Sequence, residues 1–388
     1  MNTSSEEREE KPELVLLVDD DFTVREAMAA ALERRGRKII TCSDLESAQL
    51  LLETFPFHAT IADVRLTGPF GFEGLELIRY AIEKQPGTRV VLISGYTSQE
   101  LQREAAARGA VALLQKPFCI DDIEAAIGSG FDDRGVGASE TIDVPSLDAI
   151  LGEQRVFNMF QPIVTARREV FGYESLARVH APLNDPTLLF QYAERKRRLL
   201  DVELASMRST FSNAVYLSES ARIFINVHPR VLALGRRFTD GVLARAEQSC
   251  VPLDRVVFEI TEQAALGGDP QTDAALEALR ERGAAFAFDD VGVAYSHYTD
   301  LPRVRPSFLK VSNHFGTAFE SDPYRSKIVR NIVSLAAEFG IDVILEGIES
   351  EATAEAAEQI GIRYMQGYWF GRPVEARHAT DQAAAGVN

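Results

Sequence analysis

A short apolar run at 285–288 stops on two adjacent carboxylates, Asp289 and Asp290. Further short apolar runs in the same half of the chain each end on one polar group. These terminal residues are Glu174, Asn226, Glu259, Lys310, Glu346 and Gln366. Acidic, amide and ammonium groups at the ends of successive strands are typical of an active site at the carboxyl edge of a parallel barrel.

The acidic and amide groups of this half supply the oxygen ligands that Mg²⁺ and Mn²⁺ prefer. The candidate ligands are Glu174, Asn226, Glu259, Asp289, Asp290 and Glu346. Because they carry more negative charge than one divalent ion neutralises, we predict two metal ions that share a bridging carboxylate. Such a pair activates water and stabilises the leaving oxygen in phosphodiester cleavage. Lys310 would orient that water or stabilise charge on the phosphoryl group.

A second group of chemically active residues follows strand-like runs in the first part of the chain: Asp19, Asp20, Asp63, Ser94 and Lys116. The three aspartates are a candidate hard oxygen site for Mg²⁺. With the ion neutralising charge, the carboxylate of Asp63 could attack a phosphoryl donor. Lys116 would balance the charge of the new phosphoryl group, and Ser94 would donate a hydrogen bond to it.

The elements that position these groups alternate between strands and helices in both halves. The first half has strand–helix repeats with almost continuously apolar strands, which predicts an α/β, doubly wound, five-stranded parallel sheet. The second half predicts a (β/α)8 barrel. We place the first domain at 13–127, a linker at 128–150 and the barrel at 151–380. The glycine-rich, charged stretch at 128–137 favours a flexible connection.

Composition excludes several classes of function. The net charge of −17 over 388 residues argues against non-specific binding to duplex nucleic acid or to anionic membranes. Cys42, Cys119 and Cys250 show no paired spacing, so neither a disulfide framework nor a zinc site is expected. The charged N-terminus is no signal peptide, and no apolar run reaches the length of a membrane span. We therefore expect a cytoplasmic protein without membrane insertion.

Residues 14 to about 127 resemble the receiver domain of two-component response regulators, because all five chemically active positions match in order. The resemblance implies that Asp63 is the phosphoacceptor, that Asp19 and Asp20 hold one metal ion with it, and that Ser94 is the switch hydroxyl. Lys116 corresponds to the lysine before a proline, a bond that is often cis in this family. A sensor histidine kinase is the implied partner.

Residues from about 157 to 373 resemble the EAL-type cyclic di-GMP phosphodiesterases, whose fold is a modified TIM barrel. The motifs that carry the resemblance are Gln161-Pro162, Glu174-Ser175-Leu176 with Arg178, Ile225-Asn226-Val227, Glu259-Ile260-Thr261-Glu262, Asp289-Asp290, Lys310, Glu346-Gly347-Ile348-Glu349, Gln366-Gly367 and Pro373.

The resemblance to this phosphodiesterase family implies hydrolysis of cyclic di-GMP to the linear dinucleotide pGpG, with two Mg²⁺ or Mn²⁺ ions in the barrel, and a homodimer. Glu174, Asn226, Glu259 and Asp289 would bind one ion, and Asp289, Asp290 and Glu346 the second. Catalysis would rest on Lys310, Glu174 and Glu346. The implied contacts with the ligand come from Gln161, Leu176, Arg178, Gln366 and Pro373.

Several positions depart from the family patterns, although every expected metal ligand is present. Serine stands at 175 where the motif has alanine, and Ser312 replaces the aspartate two residues after the lysine. The loop after Asp290 has Val291, Val293 and Ala294 where the family has phenylalanine, threonine and glycine. In the receiver half, Leu113 occupies the place of the switch aromatic, and the loop at 67–74 is longer than usual.

These departures leave three hypotheses open. The first is a receiver-controlled phosphodiesterase. The second is a catalytically weak or inactive barrel that binds cyclic di-GMP as a sensor. The third is an interaction protein in which only the receiver is functional. Turnover of cyclic di-GMP would support the first hypothesis, and tight binding without turnover would support the second. Absence of a metal site in the barrel would support the third.

Overall fold

The computed structural model describes residues 12–34, 36–66, 72–128, 140–180, 185–261, 266, 268–292, 299–317 and 319–384. The chain divides into two compact units. One comprises Met1–Arg155 together with Val179–Arg198, and the other comprises Val156–Arg178 together with Leu199–Asn388. Among the residues described, no helix combines the length and the apolar character needed to cross a membrane.

The first unit is built on a sheet in which all neighbouring strands are parallel. Its strands are β1 Glu13–Val18, β2 Arg37–Cys42, β3 Ala59–Asp63, β4 Arg89–Ser94, β5 Ala112–Gln115 and β6 Glu140–Asp143, in the spatial order β5-β4-β3-β1-β2-β6. The predicted doubly wound parallel sheet is confirmed. The sixth strand, β6, lies beside β2 and was not predicted.

Helices cover both faces of this sheet. They are α1 Phe22–Leu32, α2 Leu45–Thr54, α3 Glu73–Lys84, α4 Gln99–Ala107, α5 Ile120–Ile127, α6 Leu147–Gly152 and α7 Pro186–Arg195. Alternate residues of β1 point to opposite faces, so that Val15 and Leu17 join one apolar cluster while Leu16 and Val18 join the other. Because both faces are buried, the strand is apolar at every position from Leu14 to Val18, which is the pattern that made it recognisable.

The predicted linker contains regular structure. Residues 129–139, where the glycine-rich stretch falls, lie outside the described residues. After them, β6 extends the sheet of the first unit and α6 follows it. Four residues with one isoleucine among polar neighbours give no apolar run, so the sequence did not reveal this edge strand. The domain limits 13–127 and 151–380 stay a prediction.

The second unit is a closed barrel of eight strands, which confirms the predicted barrel fold. The strands are β7 Val156–Thr165, β8 Val170–Val179, β9 Arg222–Val227, β10 Val256–Ile260, β11 Ala285–Val291, β12 Phe308–Val311, β13 Asp342–Leu345 and β14 Tyr364–Gln366. They close in the order β10-β11-β12-β13-β14-β7-β8-β9. Strand β7 is antiparallel to β14, so the barrel departs from a uniform (β/α)8 repeat.

The described helices of this unit are α8 Leu199–Asn213, α9 Pro229–Leu232, α10 Arg236–Gln248, α11 Pro270–Arg280, α12 Leu301–Val304, α13 Asn313–Gly316, α14 Pro323–Phe339, α15 Glu351–Gln359 and α16 Ala376–Ala384. Short 3-10 helices lie at Ala214–Tyr216, Leu253–Arg255 and Phe319–Ser321. Most of the parallel barrel strands are followed by at least one of these helices. In barrels of this kind, the site forms at the carboxyl ends of the strands.

Candidate active site

The polar residues of the barrel form the layer above an apolar interior. The buried interior cluster contains Ile163, Phe224, Val257, Ala287, Phe308 and Ile344. On the parallel strands, each of these residues lies two positions before a polar residue, as Phe224 precedes Asn226 and Phe308 precedes Lys310. Since side chains two apart on a strand point to the same side, the polar groups also point inward, at the carboxyl end of the barrel. Strand β7 runs the other way, so Gln161 lies two positions before Ile163 rather than after it.

Lys310 is the centre of this polar layer. Its side chain is completely buried, and its Nζ lies among four carboxylates. The distances from Nζ are 2.8 Å to Glu346 Oε1, 2.9 Å to Glu259 Oε1, 3.1 Å to Asp289 Oδ1 and 3.4 Å to Glu174 Oε2. The structure therefore brings the lysine that was predicted to be catalytic and four of the predicted metal ligands within ion-pair distance.

Burial or neighbouring charges raise the pKa values of Lys310, Glu259 and Glu346. Burial disfavours the ammonium of Lys310, but its four carboxylate neighbours outweigh burial and hold its pKa well above the usual value. Burial, aided by the charges of Glu174 and Asp289, raises the pKa of Glu259 well above its usual value. Burial, reinforced by Asp289 and Glu174, raises the pKa of Glu346 to about 8. The cluster holds more negative charge than one ammonium balances.

Glu174 is held by two amide side chains. Gln366 Nε2 donates to Glu174 Oε2 at 2.6 Å, and Asn226 Nδ2 donates to Glu174 Oε1 at 3.0 Å. Burial by itself would raise the pKa of Glu174, but Lys310 and these two amides outweigh burial and lower it. Gln366 Nε2 also lies 3.1 Å from Gln161 Oε1, and Gln161 Nε2 donates to the carbonyl of Gly371. This amide chain fixes the orientation of the Glu174 carboxylate.

Asp289 and Asp290 are separated by a backbone irregularity. Strand β11 does not end between them but continues to Val291. Instead, the register with β12 shifts between Phe288 and Val291, and Asp290 has a φ of 55°. Asp289 is buried while Asp290 is exposed. A bulge thus turns neighbouring carboxylates in different directions without ending the strand.

The donor set fits a divalent cation. Glu174, Glu259 and Asp289 each offer one oxygen within 4.8 Å of the others, and this group could hold a metal ion. Both oxygens of Glu259 and Oδ1 of Asp289 are buried and have no hydrogen-bond donor of acceptable geometry among the described residues. Lys310 supplies one positive charge to four carboxylates, so a further cation would stabilise these buried oxygens. Mg²⁺ or Mn²⁺ matches an all-oxygen set of this kind.

A cavity of about 260 Å³ opens above the cluster. Its lining includes five of the predicted residues: Gln161, Glu174, Asp289, Glu346 and Gln366. The remaining lining residues were not predicted as site residues; they are Asn313, Thr317, Gly347, Glu349, Gly367 and Tyr368. Tyr368 follows the Gln366-Gly367 motif directly, which was the available signal; Asn313 and Thr317 come from α13 and its end, which carry no motif.

Other predicted residues lie away from this lining. Leu176 and Arg178 are partly buried on β8, and Arg178 Nη1 donates to the carbonyl of Ala177 at 2.7 Å. Pro373 is partly buried just after β14. Their contacts with a ligand stay predictions.

Among the departures from the family pattern, the structure gives Ser312 a role as a helix cap. Ser312 is buried and caps α13, accepting from the backbone N–H of His314 at 3.5 Å. Val291 is a buried strand residue at the end of β11. Val293 and Ala294, like Glu262, lie outside the residues that the structure describes.

The carboxyl edge of the receiver sheet gathers most of the residues predicted there. Lys116 Nζ donates to Asp63 Oδ2 at 2.6 Å and to Asp19 Oδ2 at 3.0 Å, and the Lys116–Pro117 bond is cis. Burial raises the pKa of Asp20, with Asp19 and Asp63 adding to the effect. A divalent cation would relieve this repulsion, and three aspartates are a suitable donor set. Ser94 Oγ donates to the carbonyl of Tyr96 at 2.6 Å.

Family comparisons identify both units. The family described as response regulator receiver domain matches residues 15–128, and the EAL domain family matches residues 146–373. A similar protein is cyclic di-GMP phosphodiesterase RocR of Pseudomonas aeruginosa, 26% identical, with 95% of this chain and 97% of RocR aligned. Probable cyclic di-GMP phosphodiesterase PdeD of Escherichia coli is 28% identical over 58% of this chain, which spans 43% of its length.

Solved structures of similar fold include complexes with cyclic di-GMP. BlrP1 of Klebsiella pneumoniae, solved with calcium and cyclic di-GMP, is 26% identical with a TM-score of 0.52. The match covers 60% of this chain and 58% of BlrP1. A standalone EAL protein from Vibrio cholerae, bound to cyclic di-GMP, is also 26% identical, with a TM-score of 0.50 over 57% of this chain and 93% of its own.

Proposed function

Because this chain belongs to the EAL domain family and carries an N-terminal response regulator receiver domain, we propose that its barrel hydrolyses cyclic di-GMP to the linear dinucleotide pGpG. RocR, described as a cyclic di-GMP phosphodiesterase, aligns over almost the full length of both chains. The observation that carries the proposal is the convergence of Glu174, Glu259, Asp289 and Glu346 on one buried lysine at the mouth of the barrel.

The proposed metal ligands are Glu174, Asn226, Glu259, Asp289, Asp290 and Glu346, which would hold two ions of Mg²⁺ or Mn²⁺. Two such ions supply Lewis-acid activation of the attacking water and stabilisation of the leaving oxygen. The tight group of Glu174, Glu259 and Asp289 supports the first position. The exposed carboxylate of Asp290, turned away from Asp289 by the bulge, supports a second.

Lys310 acts as a permanent positive charge rather than as a base. Its carboxylate neighbours hold its pKa well above the usual value, so the ammonium stays protonated at neutral pH. From Nζ it can donate hydrogen bonds to the attacking water or to a phosphoryl oxygen of the substrate. Glu346, which lines the cavity and lies 2.8 Å from Nζ, is the carboxylate placed to accept a proton from that water.

Gln366 and Gln161 orient the site and one edge of the substrate. The Gln366 amide fixes Glu174 through its hydrogen bond, so its contribution is to position a metal ligand. Its Oε1 is buried without a hydrogen-bond partner in the described part of the chain, and it can accept a hydrogen bond from ligand or water. Leu176, Arg178 and Pro373 would contact the dinucleotide; a guanidinium suits a phosphate because it donates two parallel hydrogen bonds.

The receiver would control this activity through phosphorylation. Asp63 attacks the phosphorus of a phosphohistidine on a sensor histidine kinase; an acyl phosphate forms as the phosphorus–nitrogen bond breaks. One Mg²⁺ held by Asp19, Asp20 and Asp63 would neutralise charge during the transfer. Lys116, already 2.6 Å from Asp63, would pair with the phosphoryl group, and Ser94 would donate to it.

A turnover assay tests the proposal. Purified full-length protein with Mg²⁺ or Mn²⁺ is expected to convert cyclic di-GMP to pGpG, resolved by chromatography, and a chelator is expected to stop it. Glu259→Gln should be inactive because it removes a completely buried carboxylate of the metal group. No turnover by the unmodified or phosphorylated protein with either metal would refute the proposal.

A binding-only role is the second candidate, and Ser312 favours it. The family aspartate at that position is replaced by a hydroxyl that caps α13, next to the lysine strand. Supporting residues set the geometry of metal ligands, so this change could lower turnover while leaving binding intact. Tight calorimetric binding of cyclic di-GMP without product would establish the sensor role.

A further inference from the structure

Hydrogen bonds link the acidic end of the receiver sheet to strand β6. Arg25 Nη1 donates to the backbone carbonyl of Asp19 at 2.7 Å, and its Nε lies 3.3 Å from Asp143 Oδ1. Thr41 Oγ1 donates to the same Asp143 oxygen at 2.5 Å. The Arg25 side chain is only 7% exposed, so water competes little for these bonds. Strand β6, which lies in the predicted linker, is thereby connected to Asp19. Asp19 in turn shares Lys116 with Asp63, the proposed phosphorylation site.

The same segment contacts α7 through a buried tyrosine. The backbone N–H of Leu147, at the start of α6, donates to the hydroxyl of Tyr192 at 3.3 Å. That hydroxyl donates in turn to Asp44 Oδ2 at 2.6 Å. Burial and the Asp44 charge raise the pKa of Tyr192, so it remains a donor. Asp44 also caps α2, where it accepts from Ser47 N. One hydroxyl therefore fixes α7 to both α6 and α2.

Further contacts hold α7 firmly within the receiver unit. Lys196 Nζ lies 3.4 Å from Asp44 Oδ2 and 3.0 Å from Glu46 Oε2. Leu188 packs against the apolar cluster under α2 and α3. Arg195 pairs with Glu53 at the more exposed edge of the contact. These interactions explain why 179–198 belongs to the same compact unit as the receiver sheet.

Both ends of α7 continue into elements that touch the strand of Glu174. Before it lies β8, which carries Glu174; after it lies α8. Ser175 Oγ is 2.7 Å from Thr210 Oγ1 of α8, and Asn158 binds both Ser175 and Ser206. Ser175 keeps a partner in Asn158 with the amide in either orientation. Along the chain, α7 therefore lies between β8 and α8, a helix that contacts β8.

We propose that α7 is the output element of the receiver, and that Arg25, Asp143 and Tyr192 carry the signal from the acidic site to it. Lys116 bridges Asp19 and Asp63, so a phosphoryl group on Asp63 competes with Asp19 for the ammonium. The Asp19 backbone then shifts relative to Arg25, and the change passes through β6 and α6 to Tyr192. The inference that this movement alters the position of Glu174, and with it turnover, rests on the proposed function. The movement of α7 itself does not.

Hydrogen–deuterium exchange on the full chain tests this route without requiring turnover. Beryllofluoride with Mg²⁺ serves as the phosphoryl mimic. We expect it to change amide protection in α7 of the unmodified protein. Tyr192→Phe, which removes one hydroxyl, and Asp143→Asn, which removes one charge, are expected to reduce that response by more than half. Unchanged protection of α7 in the unmodified protein would overturn the proposal.

Glu53→Gln is the matched control, because it weakens the same α7–α2 contact at its exposed edge but lies outside the route. It should keep the full response in α7. Equal loss in all three variants would overturn the route, since general loosening of α7 would then explain the result; so would a full response in Tyr192→Phe and Asp143→Asn. Turnover of cyclic di-GMP is measured in parallel. If turnover is absent while α7 still responds, the proposed function fails and the route stands.

Discussion

At the scale of single residues, the barrel depends on the charge of Lys310. A buried ammonium and a buried carboxylate are each costly to remove from water, and they are tolerated because they are paired. Lys310 meets four carboxylates, of which Glu259 is fully buried. Removing the lysine would leave these carboxylates unbalanced, unless a divalent ion took over the same neutralising role.

Lys310→Met tests this charge balance. We expect the free energy of unfolding of the barrel to fall by about 3–5 kcal/mol without metal, because a buried carboxylate loses its partner. Excess Mn²⁺ should restore part of the loss. Urea unfolding with and without Mn²⁺ measures both effects. Lys327→Met, on an exposed side chain of α14, should stay within about 0.5 kcal/mol of the unmodified protein. Equal stability of the two variants would contradict the charge balance.

Asp290 gives a second residue-scale prediction. It is exposed and has a φ of 55°, a conformation that asparagine tolerates nearly as well. Asp290→Asn should therefore change stability by less than about 0.5 kcal/mol. As a proposed metal ligand it should lower turnover by more than the roughly 10–100-fold that a supporting residue contributes. Melting temperature and initial rate are the readouts, and a variant with unaltered turnover would remove Asp290 from the metal site.

Most of the candidate site could be predicted at this scale because each predicted ligand follows an apolar run of a barrel strand. Glu174, Glu259 and Lys310 follow apolar runs, and period-two geometry then directs them all into the barrel. The positions of Asp289 and Asp290 could not be derived in the same way, since a bulge rather than a strand end separates them. The cavity residue Asn313 was missed because it belongs to a short helix without a motif.

At the scale of elements, α8 supports the barrel with a buried carboxyl group. Glu203 is 4% exposed, and its Oε1 accepts from the backbone N–H of His228 at 2.9 Å, just beyond the strand of Asn226. Burial raises the pKa of Glu203 to about 7, although the hydrogen bond from His228 opposes the effect. The group is therefore more easily ionised in the unfolded chain than in the folded one.

This difference predicts a pH-dependent loss of stability. Because the folded-state pKa is raised, the cost is absent below pH 4.5, the ordinary value, and accumulates as the pH rises to about 7. A shift of this size corresponds to about 3 kcal/mol. Glu203→Gln, which retains an acceptor for His228, should gain about that much relative to the unmodified protein between pH 5 and 8. Denaturant unfolding across this range measures it, with exposed Glu219→Gln as the control; a flat difference would contradict the prediction.

Helix α13 sets a close approach that only glycine permits. A Cβ at Gly316 would lie 1.6 Å from the backbone oxygen of Glu346. Gly316→Ala should displace Glu346, lower turnover and cost about 1–3 kcal/mol of stability through overpacking. Gly268→Ala, whose Cβ would meet open space, should leave both unchanged. Normal activity in Gly316→Ala would show that the position of Glu346 is not critical.

Helices and strands could be predicted where a continuous run of residues is buried. They could not be predicted where the residues that they pack against are distant in the sequence. The apolar strands of both sheets follow directly from burial on two faces. By contrast, β6 is a polar edge strand beside β2, and α7 packs on residues far away in the chain, as in the Tyr192–Asp44 hydrogen bond. No local pattern encodes such pairings, so the segment around the linker was predicted to be simpler than it is.

At the scale of the whole molecule, one chain forms two units with separate chemistry. The receiver gathers Asp19, Asp63 and Lys116 at one sheet edge, and the barrel gathers its carboxylates around Lys310. The chain passes twice between the units around α7, which gives the receiver a covalent connection to the strand of Glu174. A homodimer and a partner kinase stay predictions at this scale.

The most direct test of the central claim is a single-turnover experiment. Full-length protein in excess over labelled cyclic di-GMP, with Mn²⁺, is quenched at successive times, and the bound nucleotide is identified. We expect a single exponential conversion to pGpG, which Glu259→Gln should abolish. Cyclic di-GMP that stays bound and intact, with and without beryllofluoride, would contradict it and leave the barrel a sensor.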